Sequence, residues 1–175
     1  FSPDGKKVIF YSAETNLVVG DTNGTEDIFI KDLSTGAISR VNTAADGGQA
    51  YGYSYGATFS SDGKKVVFIS AARNLVAGDT NGTEDIFVKD LSTGAITRVN
   101  TTANGSQVNG EIYGNVMFSL DGKKVLFISS ASNLVAGDTN GLDDVFVKDL
   151  TTGAITRVNT TADGSQAYGH SYDAR

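Results

Sequence analysis

Carboxylate and carboxamide side chains recur at one spacing, Asp-x-Asn-Gly-x-x-Asp, at three places in the chain: Asp21, Asn23 and Asp27; Asp79, Asn81 and Asp85; Asp138, Asn140 and Asp144. Oxygen donors at positions 1, 3 and 7 of a glycine-permitted turn suit a hard cation, because Ca²⁺ gathers six to eight oxygens at about 2.3–2.6 Å. A backbone carbonyl at position 5 (Thr25, Thr83, Leu142) adds a ligand, so the spacing predicts one Ca²⁺ per copy. With two carboxylates per site, binding is expected to be weak, about 10⁻⁴ to 10⁻³ M. The acidic residues at position 6 (Glu26, Glu84, Asp143) start a strand, and neighbours on a strand face opposite ways; they are left out of the ligand set. The competing expectation is a metal-free turn, since Asp and Asn cap turns through their own side chains and Asn-Gly is itself a hairpin signal.

A second group of residues could recognise a ligand by stacking. Tyr55, Tyr113 and Tyr172 occupy one repeat position, and Tyr53, Glu111 and His170 vary at another two residues earlier. Tyrosine offers an apolar face and a polar tip, so a carbohydrate or peptide is the class of ligand expected there, with packing of the rings as the alternative. Gly52-Tyr53-Ser54-Tyr55-Gly56 matches a nucleophile elbow in letters, but that motif needs a strand-to-helix turn and a histidine partner. His170 is the only histidine, and the equivalent segments read GEIYG and GHSYD. No catalytic site is expected.

These residues sit in a text written three times. NLVVGDTNGTEDIFIKDLSTGAI from Asn16 returns as NLVAGDTNGTEDIFVKDLSTGAI from Asn74 and NLVAGDTNGLDDVFVKDLTTGAI from Asn133. The copies span residues 1–58, 59–117 and 118–175. Such a period points to a supersecondary unit that buries its apolar faces only against its neighbours. One extra residue in the middle copy falls between Gly114 and Phe118, where a β-bulge is the simplest accommodation.

Turn residues cut each copy into four extended runs: Lys7 to Ser12 after the Asp4-Gly5 turn, Asp27 to Asp32, Ala37 to Thr43, and a last run around Tyr53 to Ser60 that enters the next Asp-Gly turn. Ile9 and Phe10 are adjacent, as are Ile28, Phe29 and Ile30, so both faces of these strands are covered. The predicted architecture is all-β: a β-propeller with three four-stranded blades per chain. A solenoid is the alternative, but its end repeats should carry polar capping faces, and no copy here departs in that way. Asp32, Asp90 and Asp149 are expected to form turns, and Arg40, Arg98 and Arg157 to guard the outermost strand edge by charge.

The 21 glycines, the single proline and the absence of tryptophan favour strands and tight turns over helices. There are no cysteines, so no disulfide or thiolate site is available. The net charge of −6 argues against a nucleic-acid or anionic-membrane partner, which needs clustered Lys and Arg. No apolar run approaches the ~20 residues of a membrane span.

FSPDGKKVIF followed by DIFIKDLSTG resembles the TolB-type β-propeller repeat of bacteria, and the resemblance covers all three copies. The longer pattern SAxNLVxGDTNGxxDIFVKDLxTGxxxRV is similar to propeller repeats of large secreted bacterial proteins, some of which also carry calcium-binding domains. The resemblance implies a secreted or periplasmic, non-enzymatic propeller module with a scaffold or protein-interaction role. Its alternatives are a ligand-binding propeller and an accessory propeller of a larger hydrolase.

Propellers typically have four to eight blades, so three blades are expected either to close by association or to be a fragment of a longer chain. The C-terminal run from Gly169 is in phase to complete the first blade of another chain, giving six blades as a dimer or nine as a trimer.

Overall fold

The computed structural model describes residues 1–174. Among them there is no helix and there are eleven strands: β1 (Lys7–Ser12), β2 (Asp27–Asp32), β3 (Ile38–Arg40), β4 (Ser54–Phe59), β5 (Lys65–Ser70), β6 (Asp85–Asp90), β7 (Ile96–Arg98), β8 (Ile112–Phe118), β9 (Lys124–Ser129), β10 (Asp144–Asp149) and β11 (Ile155–Arg157). They form one three-stranded sheet, β1-β2-β3, and two four-stranded sheets, β4-β5-β6-β7 and β8-β9-β10-β11. All pairings are antiparallel. The sequence repeat and the sheet are therefore offset by one strand, because the last run of each copy serves as first strand of the following sheet. The first sheet has no such strand, and residues 169–174, the run in phase to supply one, form none.

Asp-Gly turns set each sheet's register. Asp62 accepts from Ser60 Oγ at 2.6 Å and from the Lys64 amide at 3.0 Å, which closes the turn between β4 and β5. Asp32, Asp90 and Asp149 act as expected: Asp32 Oδ1 accepts from the amides of Ser34 and Thr35, both at 2.9 Å, and the other two repeat this. The outermost strand is shorter than the Ala37 to Thr43 expected from sequence. Beyond Arg40, Asn42 Oδ1 takes the Ile28 amide at 3.0 Å, so a side chain replaces the ladder.

The bulge lies where the inserted residue placed it, but it is not unique to the middle copy. In β4, Gly56 and Ala57 stand opposite Phe68; in β8, Gly114, Asn115 and Val116 stand opposite Phe127. The insertion widens a bulge that the repeat already has. Gly56 and Gly114 carry it at φ of 66° and 67°, a region that costs glycine little.

Two apolar clusters make up the core, one at each joint between sheets. Ile28, Ile30 and Val41 pack with Val66, Phe68 and Phe87 at the first joint, and Val67, Ile69, Ile86 and Val88 with Val125, Phe127 and Phe146 at the second. Each middle-sheet strand thus gives alternate residues to opposite joints, as two-sided burial requires.

Candidate functional site

The three acidic loops share one geometry, and its centre is an arginine. Arg40 Nη1 lies 3.3 Å from Asp21 Oδ1 and 3.2 Å from Asp27 Oδ2. Arg98 bridges Asp79 and Asp85 at 3.4 and 3.2 Å, and Arg157 bridges Asp138 and Asp144, both at 3.4 Å. The arginine side chains are 8–10% exposed and the aspartates 0–3%. Arg40 reaches this position because β3 pairs with β2 so that Arg40 faces Phe29. The expectation that these arginines guard the sheet edge is thus corrected: the guanidinium turns inward to neutralise two buried carboxylates, which would otherwise be strongly unfavourable.

Carboxamide donors of the loop reach the same carboxylates. Asn42 Nδ2 donates to Asp27 Oδ1 at 2.6 Å, and Asn23 Nδ2 lies 3.2 Å from both Asp27 oxygens. Asn23 Oδ1 accepts the Thr25 amide at 3.1 Å. In the second and third copies Asn100 and Asn159 donate to Asp85 and Asp144 at 2.6 and 2.5 Å, while Gln107 and Gln166 donate to Asp79 and Asp138 at 3.2 and 2.9 Å. Asp21 and Asp27 thus share Arg40, and their equivalents share Arg98 and Arg157; Asn23 and Asn81 lie against Asp27 and Asp85.

This set does not fit a divalent cation. Six oxygens at about 2.3–2.6 Å would have to form where a guanidinium nitrogen stands between the carboxylates, and the two positive charges would repel. The buried Nε–H groups of Arg40, Arg98 and Arg157 have no protein acceptor. Each calls for an oxygen acceptor, which a metal ion is not. The buried hydroxyl oxygens of Thr25 and Thr83 are likewise without a partner, but the third copy has Leu142 in that place. Burial first, then the charge of Asp85, raises the pKa of Asp79, with Arg98 opposing; burial and then Asp144 do the same to Asp138.

The tyrosine group is more ordered than its sequence pattern indicated. Tyr53 and Tyr55 stack with ring centroids 6.2 Å apart, and their hydroxyls donate to the two oxygens of Glu84 at 2.5 and 2.6 Å. Tyr53 is half exposed. The Glu84 hydrogen bond raises the pKa of Tyr53, with Glu111 adding to the effect, while burial and then Glu84 raise that of Tyr55. In the tail, His170 stacks on Tyr172 at 5.8 Å and its Nδ1 lies 3.0 Å from Asp143 Oδ2. Tyr113 on β8 and Glu111 just before it are exposed at the corresponding place. Of the position-6 acids, Glu84 accepts from two tyrosines and Asp143 lies against His170, while Glu26 is exposed. Ser54 is fully buried and donates to Ser70 Oγ at 2.9 Å, which leaves it no nucleophilic role.

Solved structures share this fold. TolB from Acinetobacter baumannii superposes with a TM-score of 0.51 at 28% identity, over 94% of this chain and 33% of that one. The three units are TolB-type β-propeller repeats. An oligogalacturonate lyase from Vibrio parahaemolyticus gives a TM-score of 0.54 at 18% identity over 90% of this chain and 37% of that one, a likeness of fold alone. Among curated proteins, dipeptidyl-peptidase 5 of Porphyromonas gingivalis is 32% identical over 102 residues, which are 58% of this chain and 14% of that protein. The TolB-type chain thus spans a small part of the relatives it matches. No family model matches it.

Proposed function

We propose that this TolB-type chain is a non-catalytic interaction module whose recognition surface is the row of aromatic and acidic side chains opening the innermost strands. The observation that carries this is the convergence of Tyr53 and Tyr55 on Glu84. Two stacked, partly exposed rings are held rigid by one carboxylate, so binding to them loses little side-chain entropy. Glu111 adds a negative charge beside Tyr53, and in the tail His170 stacks on Tyr172 with its Nδ1 3.0 Å from Asp143 Oδ2. Ring faces flanked by carboxylates suit a basic peptide segment, whose Lys or Arg heads meet both a ring face and a negative charge. The net charge of −6 supports the same choice through steering.

Titration calorimetry with arginine- and lysine-containing peptides tests this. Binding that weakens at least tenfold in Tyr53→Ala and in Glu111→Gln supports the proposal. Heat with neutral oligosaccharides but not with peptides transfers the site to carbohydrate, and heat with neither removes it.

The match to dipeptidyl-peptidase 5 favours a second setting for the same module, as the accessory propeller of a larger hydrolase. In that setting the surface would meet peptide substrate. The resemblance to exported propeller repeats supports a secreted or periplasmic location, which fractionation of expressing cells checks.

A further inference from the structure

The chain holds Asn-Gly pairs at Asn23, Asn81, Asn104, Asn109 and Asn140, and one of them is held unlike the rest. A glycine after an asparagine has no Cβ to hinder its backbone, so its nitrogen is the one best able to reach the neighbouring carboxamide carbon. In four pairs the amide nitrogen is tied down. Asn23 Nδ2 lies 3.2 Å from both Asp27 oxygens and Asn81 Nδ2 donates to Asp85 at 3.2 Å. Asn140 Nδ2 donates to the Ala167 carbonyl at 3.1 Å, and Asn109 Nδ2 to Ser132 Oγ at 3.0 Å. Asn109 is guarded further, because Gly110 is wedged against the backbone of Ser130 and Ala131.

Asn104 differs. It is exposed in the turn closed by the Thr101–Gln107 bridge. Among the described residues its hydrogen bonds all fall on Oδ1: from the Thr102 hydroxyl, from the Ser106 amide at 3.2 Å and from Ser106 Oγ at 2.9 Å. Three donors polarise that carbonyl and stand where negative charge gathers when Cγ is attacked, as in an oxyanion site. The nitrogen that must leave is not held. The Gly105 amide is bonded to the Thr102 carbonyl at 3.0 Å, and local opening of an exposed turn, which costs little, frees it.

A second observation gives the same position a part in the joint between the second and third sheets. Asp46 and Asp163 stand where Asn104 does in the other copies. Asp46 Oδ1 takes the Gly48 amide at 2.8 Å and Asp163 Oδ1 the Ser165 amide at 3.0 Å, as Asn104 Oδ1 takes Ser106; a carboxylate therefore suits this turn. Lys89 donates to the Thr43 and Ala44 carbonyls, and Lys148 to those of Thr101 and Thr102, across equivalent joints. Both lysines are over nine-tenths buried. Burial lowers the pKa of each, but Asp46 opposes this at Lys89, and no carboxylate does so at Lys148. Ala103 and Gly105, on either side of Asn104, border one cavity of about 240 Å³ with Lys148.

We propose that Asn104 deamidates in the folded protein, and that the carboxylate formed acts on Lys148 as Asp46 acts on Lys89. The Gly105 nitrogen attacks Cγ of Asn104 and gives up its proton; the new N–Cγ bond forms as the Cγ–Nδ2 bond breaks, and ammonia leaves. Water then opens the cyclic imide at either carbonyl, giving an aspartyl or an isoaspartyl residue. The sum is carboxamide and water to carboxylic acid and ammonia, with no change of oxidation state. The aspartyl product keeps the backbone of the turn, and its charge offsets part of the desolvation of the Lys148 ammonium.

Peptide mapping by mass spectrometry, after incubation in mildly alkaline buffer, tests the reaction. In the folded protein the Asn104 peptide should convert about tenfold or more faster than those of Asn23, Asn81 and Asn140. In concentrated urea the same peptides should react at similar rates, which assigns the difference to the fold. Asn104 that survives as long as Asn23 in the folded protein overturns the proposal. Asn104→Asp tests the consequence: its urea midpoint should exceed that of the parent, and the gain should vanish when both proteins carry Lys148→Met. The Lys148 ammonium, followed by NMR, should titrate at higher pH in Asn104→Asp than in the parent. An unchanged titration, or a gain that survives Lys148→Met, overturns the role given to the carboxylate.

Discussion

The Lys89 ammonium donates to the Thr43 carbonyl at 2.8 Å, across the joint between the first two sheets. Removing the charged head while keeping the stem, as Lys89→Met does, leaves the Thr43 and Ala44 carbonyls without a donor. The expected loss is about 1–3 kcal/mol, read from chemical denaturation. Lys148→Met should behave alike at the second joint.

Breaking the arginine bridge should cost more. In Arg98→Met the buried carboxylates of Asp79 and Asp85 face each other without a cation, which predicts a loss of about 3–5 kcal/mol. Arg98→Lys should restore only part of it, because an ammonium cannot reproduce the planar set of donors. Thermal melting of the three proteins checks the order.

The same bridge governs the response to calcium. Parent melts in EGTA and in millimolar Ca²⁺ should coincide, since the guanidinium stands where the ion would bind. Arg98→Met, by contrast, should gain a calcium-dependent rise in melting temperature, as only a folded site binds the ion. Calorimetric titration of both proteins is the check, and heat with the parent would return the loops to a metal role.

Acid should stabilise the protein before it unfolds it. Asp79 and Asp138 have folded pKa values above 3.8, raised chiefly by burial. Each therefore takes up a proton more readily folded than unfolded, and stability rises as pH falls from their folded values towards 3.8. Asp4, Asp62 and Asp121 are held below 3.8, chiefly by neighbouring serine hydroxyls; what they contribute is present above that value and lost below it. Maximum stability should fall on the acid side of neutrality, above pH about 4. Asp79→Asn should flatten the rise in a pH series of urea midpoints.

Substituting Gly110 tests how closely the backbone entering β8 approaches the backbone leaving β9. Its Cβ would lie 2.6–2.8 Å from backbone atoms of Ser130 and Ala131, which cannot yield as a side chain would, so Gly110→Ala should cost at least about 1–3 kcal/mol. Comparing its urea midpoint with that of Gly169→Ala, where nothing stands within 4 Å of the added Cβ, isolates the effect of that close approach.

Much of the fold was legible because it is written in local signals. Lys7–Ser12 and Asp27–Asp32 follow from Asp-Gly turns and from apolar residues on both faces, and the strands have those bounds. The length of β3 was not legible, because Asn42 ends it by capturing an amide 14 residues earlier. The arginine bridge was missed for the same reason: Arg40 and Asp27 stand 13 residues apart, and only the pairing of β2 with β3 joins them. A signal was nonetheless present, for an arginine recurs at one repeat position wherever the two aspartates recur. The partnership of Tyr53 and Tyr55 with Glu84 spans 29 or more residues and left no comparable trace, since the equivalent positions of the next sheet carry Glu111, Tyr113 and Asp143.

The core is divided into two clusters, each confined to one joint, so cooperativity has to pass from sheet to sheet through the middle unit alone. Damage at one joint should leave hydrogen-exchange protection at the other largely intact, as in a one-dimensional chain of coupled elements. Such an object can be lengthened or shortened by whole copies without redesign, since every new seam reproduces an existing one.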